Sequence, residues 1–264
     1  PRTYQNLSDD VEKLTERDSR NRIVKSAIAL GYSRNINRST DILMMFMLQA
    51  GVRMTNSDHT QATFAKDIDG VAVGENALEY YTQFAHDSVL DLFTWDATQH
   101  YSIDAFAQGE TAMMLNYSHH IGTMRDRAPR LNFGVAPAPQ PEDADHDVTY
   151  ASYWAPSVSK QSPNSLEAWK FLAFLSTTDA TTSYLEASHR PAARKDLINE
   201  QLDDADLGVF AKQALSAVSW YQYDNIAVET EFANMIESVY TGAETLASAI
   251  RKAESRISAS MRDR

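Results

Sequence analysis

Cysteine is absent from this 264-residue chain, which excludes disulfides, thiolate metal ligands and thiol catalysis. The chain also has fewer basic than acidic residues, and its net charge is -12 at pH 7. That balance argues against a general nucleic-acid binder, whose affinity comes mainly from contacts between basic side chains and phosphates. The longest apolar run, 42–48, falls far short of the ~20 residues that span a membrane. The remaining composition is that of a globular protein.

Catalytic signatures are missing as well. The sequence contains no GxGxxG, GxxxxGK[ST], HExxH or GxSxG. Asp96 and Asp104 could form a hydrolase pair, but chance pairs are expected among 36 acidic residues. Asp96 and His100 have the spacing to share a metal but lack an evident third ligand, and the adjacent His119 and His120 would not converge on one ion from a helix. The sequence therefore predicts no catalytic residue, no metal and no cofactor.

The pattern along the chain alternates between helix and strand, which predicts an α/β protein. A strand ends at Gly31, and the cap-type cluster Ser39-Thr40-Asp41 opens an all-apolar, buried helix that stops at Gly51. Ser102 caps a helix that ends at Gly109. Further strands are expected at 61–73 (a hairpin around Asp69-Gly70), 111–116, 131–139 and 149–159, and further helices at 6–16, 75–87, 178–187, 195–202, 207–216, 225–240 and 244–260.

A helix start is also predicted at Ser162-Pro163, because a cap residue is followed by proline at the first helical position. Leu166, Trp169 and Leu172 follow at helical spacing. The pattern predicts that these three side chains form a buried stripe.

Aromatic residues gather at the ends of predicted elements and in loops, whereas core rings usually occupy periodic positions inside elements. Exposed ring faces stack on the apolar C–H faces of sugars, and nearby Asn, Asp and Glu bind the hydroxyls. Alternatively, these rings close the core beneath the loops, and the pattern alone leaves both interpretations open. The residues concerned are Tyr32, Tyr117, Tyr153, Trp154, Trp220, Tyr221 and Tyr223.

One segment carries a resemblance to a known family. Its residues Phe106, Gly109, Ala112, Met113 and Asn116 resemble the "F..G..AM...N" signature of the extracellular solute-binding proteins of ABC importers, the family that includes the maltose-binding protein. The segments 1–15, 168–194 and 242–257 resemble other stretches of that family in the same order. The resemblance covers essentially the whole chain.

The resemblance implies a two-lobed, type II periplasmic-binding-protein-like fold of α/β class, N-terminally truncated, without the leader and most of the first lobe. Residues 1–148 would form the first part of the second lobe, 149–203 would return to the first lobe, and 204–264 would be the helical remainder of the second lobe. Lobe closure would capture a small ligand, expected to be a carbohydrate, in the interlobe cleft. A monomeric, non-enzymatic subunit would then deliver the ligand to the importer's membrane subunits, without nucleic acid as a partner.

The implied location is extracytoplasmic, either periplasmic or anchored at the cell surface as a lipoprotein. The family's "NGPW" turn reads Asn116-Tyr117-Ser118-His119 here, so Tyr117 would replace the tryptophan as the stacking ring. Two alternatives stay open, a glycan-processing hydrolase with paired carboxylates and a lobe fragment that binds nothing. The expected ligand-binding residues are Tyr32, Asn35, Asn116, Tyr117, His119, Tyr153, Trp154, Trp220, Tyr223, Asp224 and Glu229.

Overall fold

A computed structural model describes residues 1–89 and 91–262. Its central sheet has the order β1 (Glu16–Arg17), β2 (Ile23–Ile28) and β3 (Thr111–Met113). β1 pairs with β2 antiparallel, and β2 pairs with β3 parallel, with Ser26 opposite Thr111. Because the carboxyl ends of parallel strands meet at one edge of a sheet, the segments that follow β2 and β3 come together there, where open α/β folds bind ligands.

Of the five α-helices that the structure describes in the first half of the chain, the first and fourth pack on this sheet, against β2 and β3. In α1, Thr3 caps the N-terminus by accepting a hydrogen bond from the amide of Asn6, and Leu7 and Val11 are buried. The second helix is apolar nearly all round and lies in the core, as its pattern predicts. The bounds are α1 (Tyr4–Leu14), α2 (Ser39–Gln49), α3 (Val73–Thr82), α4 (Ser102–Gln108) and α5 (His120–Arg127), and a 3-10 turn, Gln83–Ala85, extends α3.

The start of α2 differs from the prediction. The N-cap is Arg38, whose left-handed backbone has φ 61°, and no side chain caps the helix. The predicted cap residues have tertiary partners instead: Ser39 Oγ donates to the carbonyl of Ser33, and Asp41 accepts from Tyr117. Sequence pattern cannot register such long-range partners, so the prediction of a cap at Ser39-Thr40-Asp41 was wrong.

Ser102 was expected to cap α4, but the cap position is Tyr101 and Ser102 is the first helical residue. The Ser102 hydroxyl accepts a hydrogen bond from the amide of Asn37. This bond joins the start of α4 to the segment after β2. The serine therefore makes a tertiary contact and does not cap its own helix.

Several predicted strands are shorter than expected or do not form. β3 ends at Met113, and 131–139 contains no regular strand, since Pro137 and Pro139 have no N–H to donate to a ladder. The strand expected at 149–159 is reduced to β4 (Thr149–Tyr150), which pairs parallel with β5 (Ala217–Val218). The predicted turn at Asp69-Gly70 is confirmed, because both residues have positive φ and the flanking Ile68 and Val71 pair.

Helices form most of the second half. α10 and α11 pack on each other and complete the main core, in which Phe232, Ile236 and Ile250 are fully buried. In the part of the chain that the structure describes, no helix is long and apolar enough to cross a membrane. The bounds are α6 (Ser165–Leu175), α7 (Thr178–Ser188), α8 (Lys195–Gln201), α9 (Gly208–Gln213), α10 (Asn225–Tyr240) and α11 (Leu246–Arg262).

The buried stripe expected on α6 is wrong. Leu166 and Trp169 are 61% and 58% exposed, Leu172 is only half-buried, and no residue of α6 is buried. α6 packs on α7, and the rest of its apolar surface faces solvent. The helix itself forms where the pattern places it, so the sequence encodes an apolar face that this chain does not cover.

A small second core lies apart from the main one. It consists of Ala192, Leu197, Ile198 and Ala211, all buried, with α8 packed on α9. These residues come from both sides of position 203, the boundary expected from the sequence. The second core therefore packs the predicted segment 149–203 against the predicted segment 204–264.

Candidate functional site

The segments that follow β2 and β3 bring a charged and aromatic group together. The Tyr117 hydroxyl donates a 2.7 Å hydrogen bond to Asp41 Oδ2. The Arg38 guanidinium lies 5.6 Å from the centroid of the Tyr117 ring and 4.0 Å from the same carboxylate oxygen. A cation over an aromatic face is attracted by the ring quadrupole, so Arg38 holds the ring and the carboxylate together.

A second set of polar groups meets α2 one turn further along. Met44 Sδ, which is buried, accepts a 3.0 Å contact from the indole nitrogen of Trp220. Gln222 Nε2 donates to the Tyr150 hydroxyl at 2.9 Å and also lies 3.6 Å from the same sulfur. We call the residues Arg38, Asp41, Tyr117, Tyr150 and Gln222 the Asp41 cluster.

Burial dominates the electrostatics of this cluster. It raises the pKa of Asp41, and the nearby charge of Glu229 adds to that, while the Tyr117 hydrogen bond and Arg38 oppose it. Burial, followed by the charge of Asp41, raises the pKa of Tyr117 and raises that of Tyr150 to about 12. Both phenols therefore stay protonated at neutral pH. Tyr117 gives its one hydroxyl proton to Asp41, so the cluster presents the Tyr150 hydroxyl beside a carboxylate acceptor.

Arg38 also lines a pocket of about 220 Å³ next to the cluster. Arg34, Asn37, Tyr101 and Glu229 are among its other lining residues. Pockets for drug-sized ligands measure ~300–1,000 Å³, so this one suits a smaller polar molecule. Charged and hydroxyl-bearing groups together form a polar surface that continues from the pocket to the cluster through Arg38.

The family of the chain follows from its sequence. Residues 1–211 match the family model described as bacterial extracellular solute-binding protein. The chain belongs to this family. No curated protein is significantly similar to it in sequence.

Solved structures share the fold of this solute-binding protein at low sequence identity. An ABC transporter solute-binding protein from Thermotoga lettingae TMO, bound with α-D-tagatose, is 22% identical with a TM-score of 0.72, covering 99% of this chain and 65% of that one. The maltotriose-binding protein of Thermus thermophilus, bound with maltotriose, is 19% identical with a TM-score of 0.64, covering 99% and 66%.

A third relative, an ABC transporter solute-binding protein from Agrobacterium radiobacter K84 in complex with ribitol, is 17% identical with a TM-score of 0.65, covering 98% and 64%. The chain thus spans about two-thirds of the length of these structures. Over that length it has the α/β, two-lobed periplasmic-binding-protein fold, as the sequence predicts.

Four of the ligand-binding residues predicted for this solute-binding protein lie in or beside the polar surface. Tyr117 is central to the Asp41 cluster, Trp220 contacts the Met44 sulfur, and Glu229 lines the pocket. The His119 ring lies nearly parallel to that of Tyr117 with centroids 6.0 Å apart. Partial burial, together with nearby arginine charges, lowers the pKa of His119 and favours its neutral form.

Two other predicted residues are held by internal contacts. Tyr32 is buried, and its hydroxyl donates to Glu237 at 3.4 Å. Both amide hydrogens of Asn35 bond to carbonyls of the 96–99 turn, and its oxygen accepts from the indole of Trp95. Their role in the geometry is to shape the segment after β2, which leads to Arg38.

Asp224 and Asn116 also bond to backbone. Asp224 caps α10 by accepting hydrogen bonds from the amides of Ile226 and Ala227. Asn116 accepts from the amide of Tyr117 at 2.9 Å. Asn116 therefore orients the residue that reaches Asp41, and Asp224 fixes the start of the helix that carries Glu229.

Tyr153, Trp154 and Tyr223 are exposed. Trp154 is 94% accessible and Tyr153 is 71% accessible, in the irregular segment after β4. Neither ring packs against the Asp41 cluster. Their part in ligand binding stays a prediction.

The sequence pattern missed Arg38, Asp41, Tyr150 and Gln222. Asp41 was interpreted as a helix cap, which is the usual role of an aspartate at a helix start. Tyr150 lies in a predicted strand, although its hydroxyl reaches Gln222. A signal was present for Asp41, because two other cap-type residues precede it and one helix needs only one cap.

The groups considered for catalysis or metal binding have other partners. Asp96 accepts from Thr98, Asp104 pairs with Arg127 at 2.8 Å, and His100 pairs with Glu110. Within 1–89 and 91–262, no group of three or more His, Asp or Glu side chains is placed to hold a metal ion.

Proposed function

We propose that this protein is the solute-binding subunit of an ABC importer, and that it captures a small polyhydroxylated ligand without chemical turnover. The observation that carries the proposal is the Asp41 cluster, located where the segments after β2 and β3 meet. Ligands of open α/β folds bind at this edge. The family and the sugar- and polyol-bound structures of the same fold support the same assignment.

The cluster suits a neutral ligand that is rich in hydroxyl groups. Tyr150 supplies a hydroxyl that stays protonated, Tyr117 keeps an oxygen lone pair after donating its proton to Asp41, and Asp41 supplies an acceptor. A hydroxyl both donates and accepts, so a sugar or polyol can satisfy all three groups at once. In this proposal Tyr117 also offers ring surface to the ligand's C–H groups.

We further propose the three-part division into 1–148, 149–203 and 204–264. The support is the exposed apolar face of α6, which includes Trp169 and Phe171. A surface of this kind is normally covered, and the chain spans only 65% of a solved relative. The part of the two-lobed fold that the chain does not span would cover α6. Binding of a hydrophobic dye to this chain that persists in the full-length protein would contradict the division.

In this proposal the subunit acts outside the cytoplasm as a monomer. The two lobes close on the ligand at the Asp41 cluster, and the closed form docks on the importer's membrane subunits. The ligand shifts the open–closed equilibrium only by as much as it binds the closed form more tightly than the open form. Ligand affinity therefore depends on contacts made from both lobes.

Calorimetric titration with D-tagatose, ribitol and maltotriose tests the proposal, on the 264-residue chain and on the full-length protein. Saturable binding with unchanged maltotriose afterwards is the expected result. Release of shorter sugars from maltotriose would favour a hydrolase. Binding by the full-length protein alone would make this chain a non-binding part of a binding protein, and binding by neither form contradicts the proposed function.

A further inference from the structure

We propose that Asp41 determines specificity at this site, as the hydrogen-bond acceptor for a ligand hydroxyl, and that Tyr117 is its positioning residue. This role rests on the proposed function, and it makes Asp41 the side chain that recognises the ligand.

The carboxylate of Asp41 is fixed through one of its two oxygens. Oδ2 accepts the 2.7 Å bond from Tyr117 and is the oxygen that Arg38 approaches. Among the described residues, none donates a hydrogen bond to Oδ1, and the side chain keeps 18% of its surface accessible. One oxygen is therefore held by the protein while the other can accept from a ligand.

The local backbone supports this arrangement over the ordinary role of an aspartate at a helix start. Asp41 lies in the first turn of α2, yet the N-cap is Arg38 and the helix has no side-chain cap. Arg38 adopts a left-handed conformation, which is uncommon for a residue with a side chain and recurs at functional sites. That conformation places its guanidinium over Tyr117 and next to Asp41.

An aspartate that caps a helix or completes a core would stabilise the free protein. Burial instead raises the pKa of Asp41 and so disfavours its charged form. The charged or titratable groups that face it are Arg38, Tyr117, Tyr150 and Glu229. An acid with a raised folded-state pKa stabilises the fold when protonated and loses that contribution as pH rises through the folded pKa. At neutral pH the charge of Asp41 is therefore unfavourable for stability, and Asn, which can still accept from Tyr117, removes it.

The test compares Asp41→Asn with the matched control Asp104→Asn, which removes an equal charge on α4. Titrations use D-tagatose, ribitol and maltotriose with the full-length protein. We expect Asp41→Asn to weaken every probe that the wild type binds by about 10- to 100-fold, the size of a hydrogen bond to a charged group. Its Tm at pH 7 should equal or exceed that of the wild type, and Asp104→Asn should bind as the wild type does.

Ribitol is the decisive probe where the wild type binds it, because it has no ring and so reports hydroxyl recognition rather than stacking. Asp41→Asn affinity within about twofold of the wild type would overturn the inference. Weakened binding together with a large drop in Tm would also overturn it, since Asp41 would then be structural. A wild-type protein that binds none of the probes contradicts the proposed function itself, and the two failures are thereby distinct.

Tyr117→Phe tests the positioning role, and the result for this single variant does not depend on how Asp41→Asn folds. It keeps the ring but removes the hydroxyl that holds Oδ2, and we expect affinity to fall about 3- to 10-fold. In the Asp41→Asn background the same change should have a much smaller effect, because the two groups act as one unit. Effects that multiply independently would show that Tyr117 does not act through Asp41.

Discussion

The indole nitrogen of Trp95 donates a 2.8 Å hydrogen bond to the amide oxygen of Asn35. Trp95 is fully buried, and the Asn35 amide donates to the carbonyls of Asp96 and Gln99 at 2.9 and 3.0 Å. One side chain thus pairs with the buried indole donor and with two carbonyls, of which the Asp96 carbonyl also accepts from the amide of Gln99. The segment after β2, which leads to Arg38, is held in place by this asparagine.

Asn35→Ala should therefore lower the free energy of unfolding. The change leaves the buried indole donor of Trp95 without its acceptor and removes a donor from two carbonyls, and leaving a buried polar group unpaired costs about 1–3 kcal/mol. Urea denaturation measures the effect. The exposed Asn132→Ala is the control and should change stability by less than ~0.5 kcal/mol. Equal stability of the two variants would contradict the structural role of Asn35.

Trp154→Ala should leave the Tm of the free protein unchanged, because the side chain is 94% exposed. Trp95→Ala, at a fully buried position, should lower the free energy of unfolding by about 3–5 kcal/mol. If Trp154 contributes to the ligand cleft, its loss weakens binding in the full-length protein but does not lower the free energy of unfolding. Thermal melts and sugar titrations of both variants separate the two roles, and a marked Tm loss in Trp154→Ala would make it a core residue.

Gly31→Ala should destabilise the chain more than Gly242→Ala. Both glycines have positive φ, 95° and 69°, so alanine is strained at either position. At Gly31 an added Cβ would also lie 2.5 Å from the backbone nitrogen of Ala85, whereas at Gly242 it meets open space. The left-handed conformation alone costs about 1–2 kcal/mol. Each variant's loss of unfolding free energy is measured against the wild type, and the difference between the two losses gives the cost of the clash. Equal losses would show that the segment around Gly31 can shift away from Ala85.

His120→Gln should make the protein less sensitive to acid. Burial, followed by the charges of His119, Arg38 and Arg127, lowers the pKa of His120 to about 4. A histidine with a lowered folded-state pKa stabilises the fold above its unfolded pKa of about 6.5, and this contribution fades as pH falls towards 4.

The measurement is Tm against pH between 7 and about 4, with the exposed His146→Gln as the control. The wild type and the control should lose Tm more steeply in this window than His120→Gln. Identical slopes for the three proteins would show that His120 does not contribute to acid sensitivity.

Local chemistry explains how much of the fold the sequence predicts. The apolar run of α2 and the turn at Asp69-Gly70 depend on neighbours within a few residues, and both appear where expected. The stripe of Leu166 and Trp169 forms a helix as its spacing predicts, but burial requires a partner surface. Spacing shows that a face is apolar and does not show what covers it.

The site is harder to predict because its bonds join distant residues. Tyr117 and Asp41 are 76 positions apart, and Gln222 and Tyr150 are 72 apart. A cap-type residue such as Asp41 and an amide such as Asn35 have the same local signature in either role. Which aspartate faces a ligand and which asparagine closes a loop is decided by the tertiary fold alone.

The contact between Trp220 and the Met44 sulfur also gives the molecule an optical property. The four tryptophans occupy distinct environments: Trp95 is fully buried, Trp154 and Trp169 are exposed, and Trp220 is half-buried against the sulfur. Indole emission shifts to longer wavelength with exposure to water, so their spectra separate. A variant that keeps Trp220 and replaces the other three by Phe would carry one native fluorophore beside the Asp41 cluster, and ligand arrival could be followed in real time without a label.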